Sequence, residues 1–286
     1  MNPKPPYDTL ILEGGSLRCA FTAGVMDALL LLGPMKFERM FGVSAGSMVM
    51  ATYLSGQYKH FYRISRELVE DGTFIRFSSV WSKEGLMNLS HLRAYVMRHA
   101  PLDLDTLGVA QKSTQAIVVT TDLETGEPRY IEPHGRDWMD ALMASSSLPM
   151  VTRGKVQFRR EWMFDGGYSD PLPLEKALDM GGRRILVVRT RPMGDHASQS
   201  YVDSFGMYWH RHNKVLAPLF LEGYERYNDT VDCLLRGGDN HGRTWEEIAP
   251  PYPLQTDAWT VGAKEVAQDY RLGVDTAMNW WAHRHL

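Results

Sequence analysis

Three short segments carry residues able to do chemistry on an ester: Gly14-Gly15-Ser16-Leu17-Arg18, Gly42-Val43-Ser44-Ala45-Gly46 and Asp165-Gly166-Gly167. Ser44 follows an apolar run and sits in a Gly-x-Ser-x-Gly spacing. That suits a nucleophile on a sharp strand-to-helix turn, where Gly42 and Gly46 relieve backbone crowding. A helix starting at that turn places amide N–H groups beside developing negative charge. An acyl transition state also needs donors for its oxyanion, which the loop Gly14, Gly15, Ser16, Leu17, Arg18 can supply through its backbone. Arg18 is placed to hold that loop or to favour the anion. A serine hydroxyl needs a neighbour to take its proton, and Asp165 is the candidate. Each segment has a plainer reading. Gly-x-Ser-x-Gly arises by chance in roughly one chain of this length in ten. Gly-Gly also serves a phosphate-binding or merely tight turn, and Asp-Gly is a common turn dipeptide. The case therefore rests on whether the surrounding elements bring the three segments together.

The apolar run 8–13, ending at Gly14, predicts a buried strand. Residues 17–32 place Leu17, Ala20, Phe21, Gly24, Val25, Ala28, Leu29 and Leu32 on one face, which predicts an amphipathic helix stopped by Gly33-Pro34. A second strand is expected over 37–43 and a second helix over 44–56. Strand, helix and strand in so short a span make a βαβ unit with parallel strands. Its two strand-to-helix loops must then lie at one sheet edge, so the Gly14–Arg18 segment and Ser44 should be neighbours.

Residues 57–112 read as mostly helical and irregular, with 91–100 the clearest helical piece. A strand is expected over 114–122 with a hairpin partner at 129–133. A helix over 136–149, strand material over 156–164, a short helix over 173–181 and a buried strand over 183–190 follow. Ligands in an open parallel sheet sit beyond the C-terminal strand ends, and Asp165 closes a strand expected to face that same edge. From about 203 the helical period dominates, interrupted by the Pro-rich stretch 248–253. The sequence thus predicts an α/β protein: one domain over 1–286, three α/β/α layers about a mostly parallel sheet, and a helical C-terminal cover.

If the base acted through a histidine, as in the Ser-Asp-His chain order, the candidates after Asp165 are His196, His210, His212, His241, His283 and His285. His241, in a loop-like stretch, is the best of these.

The chain has 286 residues, 44% of them apolar and 23% charged, as in an ordinary globular protein. A net charge of −3 gives no basic bias toward nucleic acid. Its two cysteines, Cys19 and Cys233, lie far apart with no metal-ligand spacing, so no metal is expected and free thiols in a reducing compartment are. The N-terminus lacks the pattern of a signal peptide, and no run is long and apolar enough to span a bilayer. A cytoplasmic location is expected, with peripheral contact at the inner membrane face through an aromatic cap at 72–87 that includes Arg76 and Lys83.

Taken together, "EGGSLRC" at 13–19, "GVSAGS" at 42–47, "ASSSLP" at 144–149 and "DGG" at 165–167 resemble the patatin-like phospholipases, most closely their small bacterial cytosolic members. The likeness covers about residues 8–192, with its blocks in the family's order. It implies a Ser-Asp dyad without histidine, Ser44 as nucleophile and Asp165 as base, with an acyl-enzyme hydrolysed by water. It implies no cofactor, and lipid acyl esters as substrates. Two positions depart from the family pattern: Ser16 stands for a third glycine, and Cys19 for the glycine after the arginine. A Ser16 forced to positive φ would be costly. Two other readings stay open: a histidine-assisted esterase using Ser44, Asp165 and His241, and a lipid-binding or regulatory protein with little turnover.

Overall fold

The computed structural model describes residues 6–72, 88–148, 152, 156–198, 215–257 and 262–285. Strands β1 (Thr9–Leu12), β2 (Arg39–Val43), β3 (Gln115–Asp122), β4 (Pro128–Ile131), β5 (Val156–Phe158), β6 (Glu161–Asp165), β7 (Arg184–Val188) and β8 (Thr244–Ile248) form one sheet. Its order is β5-β6-β3-β2-β1-β7-β8, with β4 paired to β3. Strands β3, β2, β1, β7 and β8 run parallel; β4 and β6 run antiparallel to β3, and β5 antiparallel to β6.

Helices cover both faces. α1 (Cys19–Leu32), α2 (Ala45–Leu54), α3 (His60–Asp71), α4 (Leu89–His99), α6 (Asp137–Ser145) and α9 (Ala263–His285) lie on one side. α7 (Leu174–Asp179) and α8 (Leu216–Leu235) lie on the other, while the short α5 (Leu104–Ala110) follows α4. The strands obey the two-residue period of a doubly covered sheet. Leu10, Leu12, Met40, Val118, Leu186 and Val188 face the first layer. Ile11, Phe41, Val43, Val119, Ile185 and Val187 face the second. Each fully buried Leu, Ile or Val contributes about 1.5–3 kcal/mol. A one-residue slip would send every side chain to the wrong layer but keep it apolar, so register is set instead by the loops at the strand ends.

The expected three-layer α/β/α architecture and the parallel βαβ unit are present, with three differences. First, α1 is buried on every side from Cys19 to Leu29 rather than amphipathic, because α9 covers its outer face. A Cβ on Gly24 would stand 2.1 Å from Tyr270 O, and one on Gly273 2.1 Å from Phe21 O. The two helix backbones therefore touch. Second, the C-terminal third is not only a helical cover. β8 adds a parallel strand beside β7, and its five residues between turn-forming Gly242 and Pro250 carry no alternating pattern to reveal it.

Third, 156–164 is two strands, reversed at Arg159 and Arg160 with φ 47° and 75°. β6 therefore does not end like a parallel strand. β2 pairs with β3 up to Val43↔Val119, β4 pairs over Val118–Thr121, and β6 pairs over Thr120–Asp122. Because β4 overlaps both others, β2 and β6 must share the opposite edge of β3. β6 occupies that edge where β2 leaves it, and comes in from beyond it, so the two strands point at each other end to end. Ser44 follows the last residue of β2, and Asp165 is the last residue of β6, paired with Thr120. The expectation for 72–87 falls outside the described residues.

Candidate active site

Ser44 has φ 52° and ψ −131° between β2 and α2, a left-handed conformation costing a side chain on the order of 1–3 kcal/mol. Its neighbours hold it there. The Ser44 N–H donates to Ser145 Oγ at 2.8 Å, and Ser145 Oγ donates in turn to Val119 O at 2.6 Å. Ser47 donates to Ser44 O through its N–H at 2.9 Å and its hydroxyl at 2.5 Å. The flanking glycines are set by close approach. A Cβ on Gly42 would lie 2.5 Å from Ser47 Cα, and one on Gly46 2.6 Å from both Leu12 O and Glu13 O. The turn thus packs against β1 with no room for a methyl.

The Ser44 hydroxyl donates to Asp165 Oδ2 at 2.6 Å. Asp165 is 2% exposed, and its Oδ1 accepts from the Gly167 N–H at 2.8 Å. Burial pushes the Asp165 carboxyl up to about 6, opposed by the hydrogen bonds from Ser44 and Gly167. A carboxylate that titrates close to neutrality and already holds the serine proton is matched to general-base work. A Cβ on Gly166 would lie 2.3 Å from Val119 O. Only glycine lets the chain turn so close to β3.

The loop after β1 comes to the same place: a Cβ on Gly14 would stand 2.9 Å from Ser44 Cβ. Ser16, Leu17 and Arg18 form a single 3-10 turn before α1, so the expected helix start at 17 is split. Among the described residues the N–H groups of Gly14, Gly15, Ser16 and Leu17 donate to no acceptor in the protein, which leaves them free to meet water or a ligand. Arg18 lies against Gly15, with Nε 3.1 Å from where a Gly15 Cβ would be.

Ser44 also opens on an apolar cavity walled by Met48, Phe61, Ile64, Leu68, Leu92 and Met143, among others from α2, α3, α4 and α6. The space between these side chains and the open solvent at its mouth together come to about 850 Å³.

His241 is not part of this assembly. It precedes β8, whose first residue Thr244 pairs with Arg184 at the start of β7. That is the edge where the parallel strands begin, whereas Ser44 stands where they end. A five-residue strand at about 3.3 Å per residue separates the two edges by roughly 16 Å. His241 is exposed in a turn closed on Asp239. No histidine hydrogen-bonds to Ser44 or Asp165 among the described residues, so the arrangement with His241 has no geometric basis; His210 and His212 lie outside the described residues.

Residues 10–178 match the family model described as Patatin-like phospholipase. The chain belongs to the patatin-like phospholipase family. Over 285 residues it is 26% identical to the uncharacterized protein YjjU of Escherichia coli (strain K12), covering 94% of this chain and 76% of that relative. Among solved structures it is similar to VipD from Legionella pneumophila, with TM-score 0.48 and 13% identity over 96% of this chain. It is also similar to the type III effector ExoU, with TM-score 0.43 and 13% identity over 99% of this chain. The chain spans 66% of the VipD chain and 54% of the ExoU chain. At such scores these likenesses carry no weight for the site.

The two departures from the family's loop pattern differ in their local setting. Ser16 does adopt a positive φ, 53°, so the strain anticipated for a side chain there is present. Cys19 is fully buried, its thiol directed to Glu13 O at 3.6 Å and pushed up to about 12 chiefly by burial. It is an inert packing group rather than a second nucleophile. Sequence reasoning did not assign roles to two groups at this edge, Ser145 and Thr190. Ser145 lies in the "ASSSLP" block, whose chemistry shows no pattern of its own. Thr190 stands two residues past the end of β7 and could have been found as a polar residue at a parallel strand's C-terminal end.

Proposed function

We propose that the protein is a serine acyl-hydrolase that cleaves lipid acyl esters through a Ser44–Asp165 dyad. The observation that carries this reading is the 2.6 Å hydrogen bond from Ser44 Oγ to a buried Asp165 carboxylate, at the mouth of an apolar cavity. Family membership supports lipid acyl hydrolysis in general. The dyad and the ester class are the proposal.

Asp165 takes the Ser44 proton as Oγ attacks the ester carbonyl. The tetrahedral oxygen is stabilised by N–H groups of the Gly14–Leu17 segment and of the first turn of α2, whose first amides have no intrahelical partner. Arg18 adds positive charge beside the loop. When the intermediate collapses, the proton on Asp165 goes to the departing alkoxide. Water, deprotonated by the same carboxylate, then adds to the acyl carbonyl; as the Ser44 Oγ–carbon bond breaks, Asp165 returns that proton to Oγ and the acid is released. The acyl chain lies in the cavity walled by α2, α3, α4 and α6. Binding at a membrane surface is the natural way for such a substrate to arrive, and no helix among the described residues is long and apolar enough to cross one.

Labelling with a fluorophosphonate probe tests the nucleophile. Wild type should label, while Ser44→Ala should not and Asp165→Asn should label at least a hundredfold more slowly. Equal labelling of Ser44→Ala and wild type would refute the assignment. A long-chain p-nitrophenyl ester turned over no better than the acetate would refute the lipid part of it. A lipid-binding protein without turnover would bind vesicles yet neither label nor hydrolyse.

A further inference from the structure

An oxyanion donor is useful only if its peptide faces one way, and a peptide between two glycines can rotate with little steric resistance. We propose that Thr190 is a positioning residue that fixes the Gly14–Gly15 peptide so that the Gly15 N–H faces the substrate oxygen above Ser44. The proposal rests on the reading of Ser44 as nucleophile.

The Thr190 hydroxyl donates to Gly14 O at 3.0 Å. In a trans peptide the C=O and the following N–H point in opposite directions. Tying Gly14 O to Thr190 therefore turns the Gly15 N–H away from Thr190. Gly14 lies between the two side chains, since a Cβ on it would touch Ser44 Cβ at 2.9 Å, while one on Gly15 would meet Thr190 Oγ1 at 2.9 Å. Away from Thr190 is the side of Ser44. Among the described residues that N–H, like those of Gly14, Ser16 and Leu17, donates to no acceptor in the protein.

Thr190 is itself held from behind. Its N–H donates to Glu13 Oε2 at 2.5 Å, and Glu13 Oε1 accepts from the Tyr227 hydroxyl at 2.8 Å. Arg189 donates to Tyr227 Oη at 2.6 Å and to Glu247 Oε2 at 3.1 Å. Glu13, Arg189 and Thr190 are 3%, 0% and 1% exposed. Arg189 Nε makes no hydrogen bond but lies 3.9 Å from Glu13 Oε2 as an ion pair; a buried network with this many bonds is rigid. It joins the loop after β1 to α8 and β8. Arg189, Thr190, Tyr227 and Glu247 all lie beyond residues 10–178 that match the family model. The C-terminal third thus holds the direction of the loop that the shared motif only places.

The test compares wild type with Thr190→Val and Thr190→Ser. It reads kcat and KM for p-nitrophenyl butyrate, the fluorophosphonate labelling rate, and the inhibition constant of an alkyl trifluoromethyl ketone, whose adduct carries the oxyanion. Thr190→Val should lower kcat and the labelling rate by tenfold or more, up to ~100-fold, and weaken the ketone by a similar factor. KM should change less than threefold. Thr190→Ser, which keeps the hydroxyl, should recover to within about threefold of wild type in each. A Thr190→Val protein with wild-type kcat and ketone affinity overturns the proposal and leaves the hydrolase reading standing. So do Val and Ser variants that are equally slow. Wild type that neither labels nor turns over removes the hydrolase reading, and with it the role given to Thr190. If Thr190→Val does not fold, Tyr227→Phe decides: it removes the hydroxyl that steadies Glu13, and an unchanged kcat and ketone affinity there overturns the proposal.

Discussion

Replacing Asp165 by asparagine should slow the reaction and stabilise the fold, and the second effect should depend on pH. The Asp165 carboxyl is raised from 3.8 to about 6, chiefly by burial, with the Ser44 and Gly167 hydrogen bonds offsetting only part of it. Between those two values the folded protein holds a proton that the unfolded chain has released. Stability from this group therefore falls as pH rises through the window from about 4 to about 6, and stays low above it. The displacement corresponds to ~3 kcal/mol at pH 8. Asparagine has the same shape and can still accept from the Gly167 N–H, but carries no charge to desolvate. Urea unfolding of both proteins from pH 4 to pH 8 should show the variant more stable by up to ~3 kcal/mol at pH 8, the gap closing toward pH 4. In parallel, wild-type kcat/KM should drop tenfold per pH unit below about 6 and level off above it. The variant should lose a factor of ~10²–10⁴ at every pH. A stability gap that does not change with pH, or a wild type that gains stability through pH 6, would show that burial does not raise this carboxyl.

Four further outcomes follow from particular contacts. Gly46→Ala puts a methyl 2.6 Å from the Leu12 and Glu13 carbonyls; the elbow must shift, and esterase activity should fall below a tenth of wild type. Gly273→Ala, 2.1 Å from Phe21 O, should force α1 and α9 apart and cost about 1–3 kcal/mol in urea unfolding, with the site's pH profile unchanged. Ile64→Phe narrows the cavity and should lower kcat/KM for a long-chain p-nitrophenyl ester severalfold while sparing the acetate; equal losses on both would place the acyl chain elsewhere. His241→Ala should leave kcat/KM within twofold of wild type, and a large loss would reinstate the histidine-assisted reading.

The α/β core was readable from sequence because its signals are local. The apolar runs at 8–13, 37–43, 114–122 and 183–190 correspond to β1, β2, β3 and β7, since a strand covered on both faces must be apolar throughout. The juxtaposition of the Gly14 loop and Ser44 followed from the parallel strands of one short βαβ unit. What failed to show depends on distant partners. α1 reads as amphipathic because its sequence does not reveal that Gly24 lies against the Tyr270 carbonyl of a helix about 250 residues later. β8 is too short to display a period. Thr190 and Ser145 are single hydroxyls whose importance lies only in which carbonyl or amide they meet.

The Asp-Gly-Gly motif shows how a residue that meets Ser44 can be reached through a wrong picture. From sequence, Asp165 looks like the end of another parallel strand, placed at the site as Ser44 is. In the sheet, β6 instead runs toward β2 along the same edge of β3, stopping at Thr120 just past the Val43↔Val119 pair. Two parallel strand ends would set Asp165 beside Ser44 at lateral strand spacing, about 4.8 Å between backbones, with both side chains leaving in one direction. Two strands meeting end to end aim the carboxylate and the hydroxyl at one another, which is how a bond of 2.6 Å forms with the carboxylate buried. The head-on geometry also explains the glycine after Asp165. The chain must leave the sheet where β2 already stands, so it passes against Val119 O at a distance that a Cβ could not tolerate. The motif is therefore a steric condition for bringing the Asp165 carboxylate to Ser44 along the sheet edge, and Gly166→Ala should slow fluorophosphonate labelling of Ser44 by tenfold or more without altering either partner of that hydrogen bond.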